Sequence, residues 1–270
     1  MTGATGTPVA VVTGAGSGIG RALAQRLDAQ DYALVLCDIN EAGLEGTAHA
    51  LKRRPTLKPL DVSKRDQVEA MAREALAAHG HVDLVINNAG VAVDSPLADV
   101  SYEDFEWLFG INFWGVVYGT KAFLPAMLAR KSGVIVNVSS IFGLIAWPRQ
   151  GTYNAAKFAV RGFTEALWHE LEGTGVTAIS VHPGGIRTNI AKNARVRHPN
   201  DPKRTPERVE REFRRMARTT PETAAEVILR GVENRQRRVL IGADAQVLHL
   251  VSRLAPDGYP SLMRALGLVK

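Results

Sequence analysis

Residues 13–20 read Thr-Gly-Ala-Gly-Ser-Gly-Ile-Gly, between an apolar run and a helical pattern. Glycines in such a loop permit a tight turn, let the backbone approach a pyrophosphate, and leave helix N-terminal N–H groups free to bind the anion. The spacing departs from G-x-G-x-x-G, because Ile19 stands where the third glycine belongs. Asp38 closes the next apolar run, eighteen positions after Gly20, where a carboxylate can accept hydrogen bonds from a ribose diol. The same charge repels a 2′-phosphate, and no Arg or Lys stands at Ser17, Ile39 or Asn40 to receive one. The pattern therefore prefers NAD(H) over NADP(H). A second pair, Tyr153 and Lys157, is four apart on a predicted helix and shares one face. An ammonium beside a phenol stabilises the phenolate: lowering a tyrosine by two units from ~10 takes about 2.7 kcal/mol, within reach of a cation in a partly desolvated site.

Short Val/Ile/Leu-rich runs alternate with longer stretches of helical spacing, the signature of βαβ units and a parallel sheet. Residues 9–13, 33–37, 82–86, 134–138 and 176–181 read as strands whose continuous apolar character fits helices on both faces. Residues 56–60 make a weaker strand, interrupted by Lys58 and Pro59, and 239–241 a last short one. Helices are predicted at about 18–30, 41–53, 64–79, 102–130, 152–173 and 221–235. No repeat, low-complexity tract or linker divides the chain, so residues 1–270 read as one doubly wound α/β domain with about seven strands. The stretch from Trp107 through Phe109, Ile111, Phe113 and Trp114 to Tyr118 is apolar around most of its circumference. A helix resting on a sheet needs one apolar stripe, so the second face predicts a subunit interface.

Further signatures follow in order: Asp61 after the third strand, Asn87-Asn88-Ala89-Gly90 after the fourth, Asn112, Ser140, Tyr153-Asn-Ala-Ala-Lys157, and Pro183-Gly184-x-x-x-Thr188. Together with the Thr13–Gly20 loop they resemble the short-chain dehydrogenase/reductase family over about residues 7–190. The resemblance implies a Rossmann-type fold and a nicotinamide cofactor that carries the hydride chemistry. It assigns Tyr153 as general acid/base, with Lys157 lowering its pKa and holding the nicotinamide ribose. It gives Ser140 the substrate oxygen and the developing alkoxide, Ser139 pointing the other way, and Asn112 a water linking Lys157 to solvent. Gly14, Ser17, Gly18, Ile19, Gly20 and Asp38 would line the cofactor, with Asp61 and Val62 at the adenine and Asn88, Ala89 and Gly90 along the adenosine ribose side. Pro183, Gly184, Ile186 and Thr188 complete that set, the last two at the carboxamide. The implied layout is a cofactor half at about 7–140, a substrate lid at about 189–218 and a tail at about 243–270.

Composition narrows the alternatives. With 46% apolar residues a large core is available, which excludes disorder, collagen and small disulfide scaffolds. The uncharged run 132–148 is shorter than the roughly 20 residues of a membrane span. Residues 1–12 lack Lys or Arg before their apolar stretch, unlike a secretory signal. One cysteine, Cys37, makes no intrachain disulfide and suits a reducing cytoplasm. The sequon Asn137-Val138-Ser139 lies in a predicted central strand and is a false match. The seven histidines show no metal-ligand spacing: His79 and His81 fall at loop positions, and His182 reads as structural.

The net charge is +6, and residues 195–218 hold nine basic against four acidic side chains, so the rest is near neutral and no general nucleic-acid surface is expected. Within this segment Val209, Phe213 and Met216 form an apolar stripe, and Glu207 with Arg211 and Glu210 with Arg214 are expected i,i+4 pairs. Such a helix could cover an apolar substrate and turn arginines to solvent, an anionic head group or a membrane surface. The tail, including Val247, Leu250, Leu254, Leu262, Met263, Leu266 and Leu268, lacks the ending usual in 3-oxoacyl carrier-protein reductases and resembles the branch that handles steroids, retinoids and long-chain alcohols or aldehydes. The reading is a cytoplasmic homodimer or homotetramer that interconverts an alcohol and a ketone or aldehyde on a lipophilic molecule. The rivals are an NADPH-dependent acyl-thioester reductase whose basic segment docks a phosphopantetheine carrier, and a nicotinamide-binding regulator without turnover.

Overall fold

Strands buried on both faces need apolar residues at successive positions, and the Val/Ile/Leu runs supply them. A computed structural model describes residues 6–265. Its elements are β1 (Val9–Thr13), α1 (Gly18–Ala29), β2 (Ala33–Asp38), α2 (Glu41–Ala48), β3 (Thr56–Pro59), α3 (Arg65–His79), β4 (Leu84–Asn87), β5 (Val93–Asp94), α4 (Tyr102–Phe109), α5 (Gly115–Arg130), β6 (Gly133–Val138), α6 (Gly151–Glu170), β7 (Val176–Pro183), β8 (Arg195–Val196), α7 (Pro206–Met216), α8 (Pro221–Glu233), β9 (Arg238–Ile241), α9 (Ala243–Leu254) and α10 (Tyr259–Ala265). Seven strands form one sheet in the order β3-β2-β1-β4-β6-β7-β9, every pairing parallel. The strand order reverses between β1 and β4, which opens a crevice at their carboxyl ends, the ligand position in such folds.

The two faces divide the core. Ala10, Val12, Leu34, Leu36 and Ile86 point toward α1 and α8, whereas Val9, Val11, Val35, Cys37, Val85 and Ile135 point toward α3, α5 and α6. Burial pushes the Cys37 thiol up to about 12, so it stays protonated and inert. Asn137 is fully buried in central β6 and bonded to Asn87 and Thr164, which removes it as a glycosylation acceptor.

Several elements differ from the periodicity. The expected 41–53 helix stops at Ala48, because the Asp28 carboxylate accepts the Lys52 and Arg53 N–H groups (2.7 and 3.2 Å) and Pro55 disfavours helix at Arg54. The expected 102–130 helix is split by a π-helical turn, Gly110–Trp114. Outside the main sheet, β5 and β8 form a separate two-residue parallel pair that is too short to leave a pattern. His79 closes α3 instead of lying in the loop. Among the described residues no helix is long and apolar enough to cross a membrane, and no cluster could hold a metal ion. Leu266 and Leu268 of the expected apolar tail lie outside the described residues, and Met263 is buried.

Candidate active site

The glycine loop is shaped by three of its glycines. Gly14 and Gly18 adopt φ of 67° and 51°, a region costly for side-chain-bearing residues. A Cβ on Gly20 would strike the Gly14 carbonyl, so Gly20 provides the close helix-to-loop approach that the motif assigns to its third glycine. Ile19 instead packs against the core. Ser17 starts α1 without a side-chain cap, leaving the helix N-terminal N–H groups to an anion. Asp38 Oδ2 accepts the Gly16 N–H (2.9 Å) and Oδ1 that of Asn40 (2.9 Å), which fixes the carboxylate beside the loop. Thr13 Oγ1 accepts the N–H groups of Asn88 and Ala89 (3.0 and 3.1 Å), sewing β1 to the end of β4. Asp61 caps its own turn through the Ser63 N–H, and Val62 is buried against Gly115 of α5.

Sequence spacing did not reveal Arg21. Its Nη2 donates to Gly16 O (2.6 Å) and its Nε to Thr47 Oγ1 (3.0 Å), while Thr47 donates to Ala15 O (2.8 Å). A basic residue directly after a glycine loop is the signal that could have suggested it. These residues suit a dinucleotide: the loop has no room for side chains at Gly20, its helix terminus is uncapped, and a fixed carboxylate faces it.

Across the crevice, Asn112 sits fully buried in the π-helical turn. Its Oδ1 accepts the Val91 N–H (2.8 Å) and its Nδ2 donates to Val91 O (2.9 Å). The wide turn and this double bond hold the helix against the Asn88–Gly90 loop, and a Cβ at Gly90 would lie 3.4 Å from Asn112 Oδ1 and 3.7 Å from Lys157 Nζ. Ser139 and Ser140 diverge as expected of adjacent extended residues: Ser139 Oγ donates to Lys157 O (2.8 Å), while the Ser140 hydroxyl lies close enough to Tyr153 to pull on its pKa. Lys157 Nζ donates to Val138 O (2.9 Å) and lies 5.6 Å from the Tyr153 ring centroid.

The protonation balance corrects the expectation of a lowered phenol. Burial pushes Tyr153 up to about 12, against a smaller downward pull from Ser140, and burial pushes Lys157 down to about 8. Desolvation therefore dominates both groups. Phe142 meets Tyr153 edge-on (6.2 Å) and stacks on Trp147 (5.6 Å), giving the phenol an apolar wall. Tyr259 of α10 accepts the Ala146 N–H (3.0 Å), tying the tail to that wall.

Thr188 packs against Gly18, whereas Ile186 is buried in the core and offers its backbone alone. Gly184 donates to Ile241 O (2.9 Å), joining β7 to β9 just after Pro183. Beyond Thr188 the basic segment is largely ion-paired. Arg195 and Arg197 bind Asp104 (2.7 and 3.0 Å), and Arg195 stacks on Trp107 (3.7 Å). Arg204 joins Asp94 and Glu212 (2.9 and 2.5 Å). Glu210 pairs with Arg214 (3.6 Å) as expected, but Glu207 and Arg211 form no ion pair. Glu212 pairs with Arg208 (3.0 Å) instead.

Comparison with known proteins agrees with this geometry. The short chain dehydrogenase family model matches residues 8–198. A Mycobacterium tuberculosis protein named SadH, described as an oxidoreductase, is 45% identical over 262 residues, covering 95% of this chain and 94% of that one. A Burkholderia phymatum short chain dehydrogenase/reductase solved in complex with NAD superposes with a TM-score of 0.85 at 33% identity, over 93% of this chain and 94% of that one. An alcohol dehydrogenase from the archaeon Thermococcus sibiricus, complexed with 5-hydroxy-NADP, gives 0.73 at 28% identity over 87% and 95%.

Proposed function

Because the chain belongs to the short-chain dehydrogenase family, we propose that it is an NAD(H)-dependent oxidoreductase that interconverts an alcohol and a ketone or aldehyde on a lipophilic small molecule. One observation carries this reading: Asn112, Ser140, Tyr153 and Lys157 converge beside Gly90, facing a glycine loop with a fixed acidic residue. A nicotinamide held there would supply or accept the hydride. In reduction, the Tyr153 phenol gives its proton to the substrate oxygen, and in oxidation the phenolate takes it back. Ser140 donates a hydrogen bond to that oxygen as it gains negative charge. The buried Lys157 ammonium favours the phenolate, and Asn112 holds the turn that supports it. Gly14, Ser17, Gly18 and Gly20 would receive the pyrophosphate, and Asp38 the adenosine ribose. Asp61 and Val62 belong at the adenine, Asn88 to Gly90 at its ribose, and Pro183, Gly184, Ile186 and Thr188 at the carboxamide side.

The preference for NAD rests on Asp38, whose charge opposes a 2′-phosphate. The preference for an apolar substrate rests on Phe142 and Trp147 beside Tyr153, with Val91, Val93, Trp107 and Phe109 adjoining. Residues 1–270 act as one domain in this reading, with lid and tail closing over the apolar wall. The protein works as a homo-oligomer in a reducing cytoplasm, which suits the buried Cys37 thiol. Arg195, Arg197, Arg204 and Arg208 are ion-paired, so the carrier-docking reductase would rest on Arg211, Arg214 and Arg215, and loss of carrier binding on neutralising these three would support it.

The test is cofactor turnover by purified protein with NAD and NADP over lipophilic alcohols and ketones, with Tyr153→Phe beside wild type. Turnover with NAD that falls by at least ~10²-fold in the variant is expected. Cofactor binding without turnover would instead support a regulator.

A further inference from the structure

The backbone around Ser140 departs from the sheet at a defined point. The Ser139 N–H donates to Val181 O (2.8 Å), but a continuing parallel ladder would next require an N–H at residue 183, and Pro183 has none. No β7 main-chain group holds the chain beyond this rung. The His182 side chain takes over: its Nδ1 lies 3.0 Å from Ser140 O, and its Nε2 lies 2.9 Å from Ser180 Oγ. His182 and Ser180 are fully buried, and Ser140 is 7% exposed.

A carbonyl oxygen only accepts, so Nδ1 carries the proton and Nε2 of the neutral ring accepts from the Ser180 hydroxyl. Burial, the main cause, lowers the imidazole pKa to about 4, so the ring is neutral at working pH. The Ser140 carbonyl also accepts the Gly143 N–H (2.9 Å), and the Ser140 hydroxyl oxygen accepts that of Phe142 (3.1 Å). Those two bonds close the local turn. The imidazole is the link that anchors this turn to the sheet.

We propose that His182 is a positioning residue: its Nδ1–H fixes the Ser140 peptide plane, and with it the direction in which the Ser140 hydroxyl meets Tyr153 and the substrate oxygen. This rests on the dehydrogenase reading above. Loss of the anchor lets the hydroxyl drift while cofactor and substrate sites stay intact, so kcat suffers and KM does not.

The experiment compares His182→Asn, His182→Gln and His182→Leu in steady-state turnover with NAD, with thermal unfolding and NAD affinity measured alongside. The Asn amide can place its N–H where Nδ1–H stood, whereas Gln and Leu cannot. A misplacement near 1 Å costs up to ~10²-fold, so Gln and Leu should lose ~10- to 100-fold in kcat with KM nearly unchanged, and Asn should recover most of the loss. Equal kcat in all three, or Asn no better than Leu at equal NAD affinity, overturns the proposal. Long-range ¹H–¹⁵N NMR of the wild-type protein covers the case of variants that fail to fold. It should report the Nδ1–H tautomer for His182 at neutral pH, and an Nε2–H tautomer overturns the proposal. Turnover that survives Tyr153→Phe defeats the dehydrogenase reading instead, and the NMR result is independent of it.

Discussion

Asp38 and His182 illustrate two ways a single side chain sets behaviour, one by charge and one by refusing it. Asp38 stands beside Gly16, and the Arg21 guanidinium is bound to the same glycine's carbonyl, so a cation is already close to where a 2′-phosphate would sit. Asp38→Ser removes the repulsion and should shift the ratio of kcat/KM for NADP over NAD upward by at least ~10-fold, read from initial rates with each cofactor. His182 acts on stability through its neutrality. Its ordinary pKa of 6.5 falls to about 4 in the fold, chiefly through burial, with Arg238 and Arg161 adding to the shift and Glu165 opposing it. Between these values the unfolded chain binds a proton that the folded chain refuses, so stability is full above pH 6.5 and drains as pH falls toward 4. The loss is about 3 kcal/mol, and urea titrations from pH 7 to 4 should show it in wild type and not in His182→Asn. At this scale the glycine loop, Asp38, Ser140, Tyr153 and Lys157 were legible, because their spacing is local or their motif is distinctive. Arg21 and His182 were not, since each acts on a main-chain carbonyl whose position depends on the fold, in the case of His182 one forty-two residues away.

At the scale of elements, the segment carrying β8 and α7 is held by carboxylates that come from β5 and from α4. Asp94 binds Arg204 and His198, and although burial alone would raise its pKa, these partners hold it below the usual carboxylate range. Asp104, 2% exposed, binds Arg195 and Arg197. The sequence showed a basic stretch with a helical stripe; the acidic partners lie about a hundred positions upstream, so their pairing was invisible to any local pattern. The π-helical turn was equally hidden, because its residues Gly110–Trp114 keep a helical periodicity on both sides. Asp94→Asn leaves the buried Arg204 guanidinium facing a neutral amide and should loosen the segment. Limited trypsin digestion followed by mass spectrometry is the direct check. Cleavage after Arg195, Arg197, Lys203 or Arg204 should quicken by ~10-fold, since a local opening cost lowered by about 1.4 kcal/mol raises the cleavable population that much. Unchanged cleavage would mean that packing of Val209 and its neighbours holds the segment without the ion pairs.

For the whole molecule, the distribution of apolar surface bears on the homo-oligomer proposed above. Rings along α4, the π-helical turn and α5 form a continuous ladder, with centroid separations of 5.1 Å for Phe105 to Phe109, 6.2 Å for Phe109 to Phe113 and 5.7 Å for Trp114 to Tyr118. Phe163 of α6 joins it at Phe113, and Trp114 and Phe158 remain 47% and 39% exposed. A contiguous aromatic patch of this kind marks a partner surface, and a self-complementary one suits a two-fold dimer. The sequence foretold this second apolar face from the helix's circumference, while the π-helical turn that aims it is legible only in the structure. A tryptophan at the centre of an interface commonly carries 2 kcal/mol or more, so Trp114→Glu should weaken association by at least ~30-fold. Light scattering coupled to size exclusion, run across a dilution series, should therefore find a smaller species in the variant where wild type stays assembled. The competing surface is the exposed stripe Val247, Leu250 and Leu254 on α9. If Leu250→Glu splits the assembly and Trp114→Glu does not, copies meet through the tail instead. Asn112 shares the π-helical turn with Trp114, so association through the aromatic face should also stiffen the turn that holds the Val91 main chain beside the site. The dissociated Trp114→Glu protein should consequently lose turnover on dilution in step with its loss of mass.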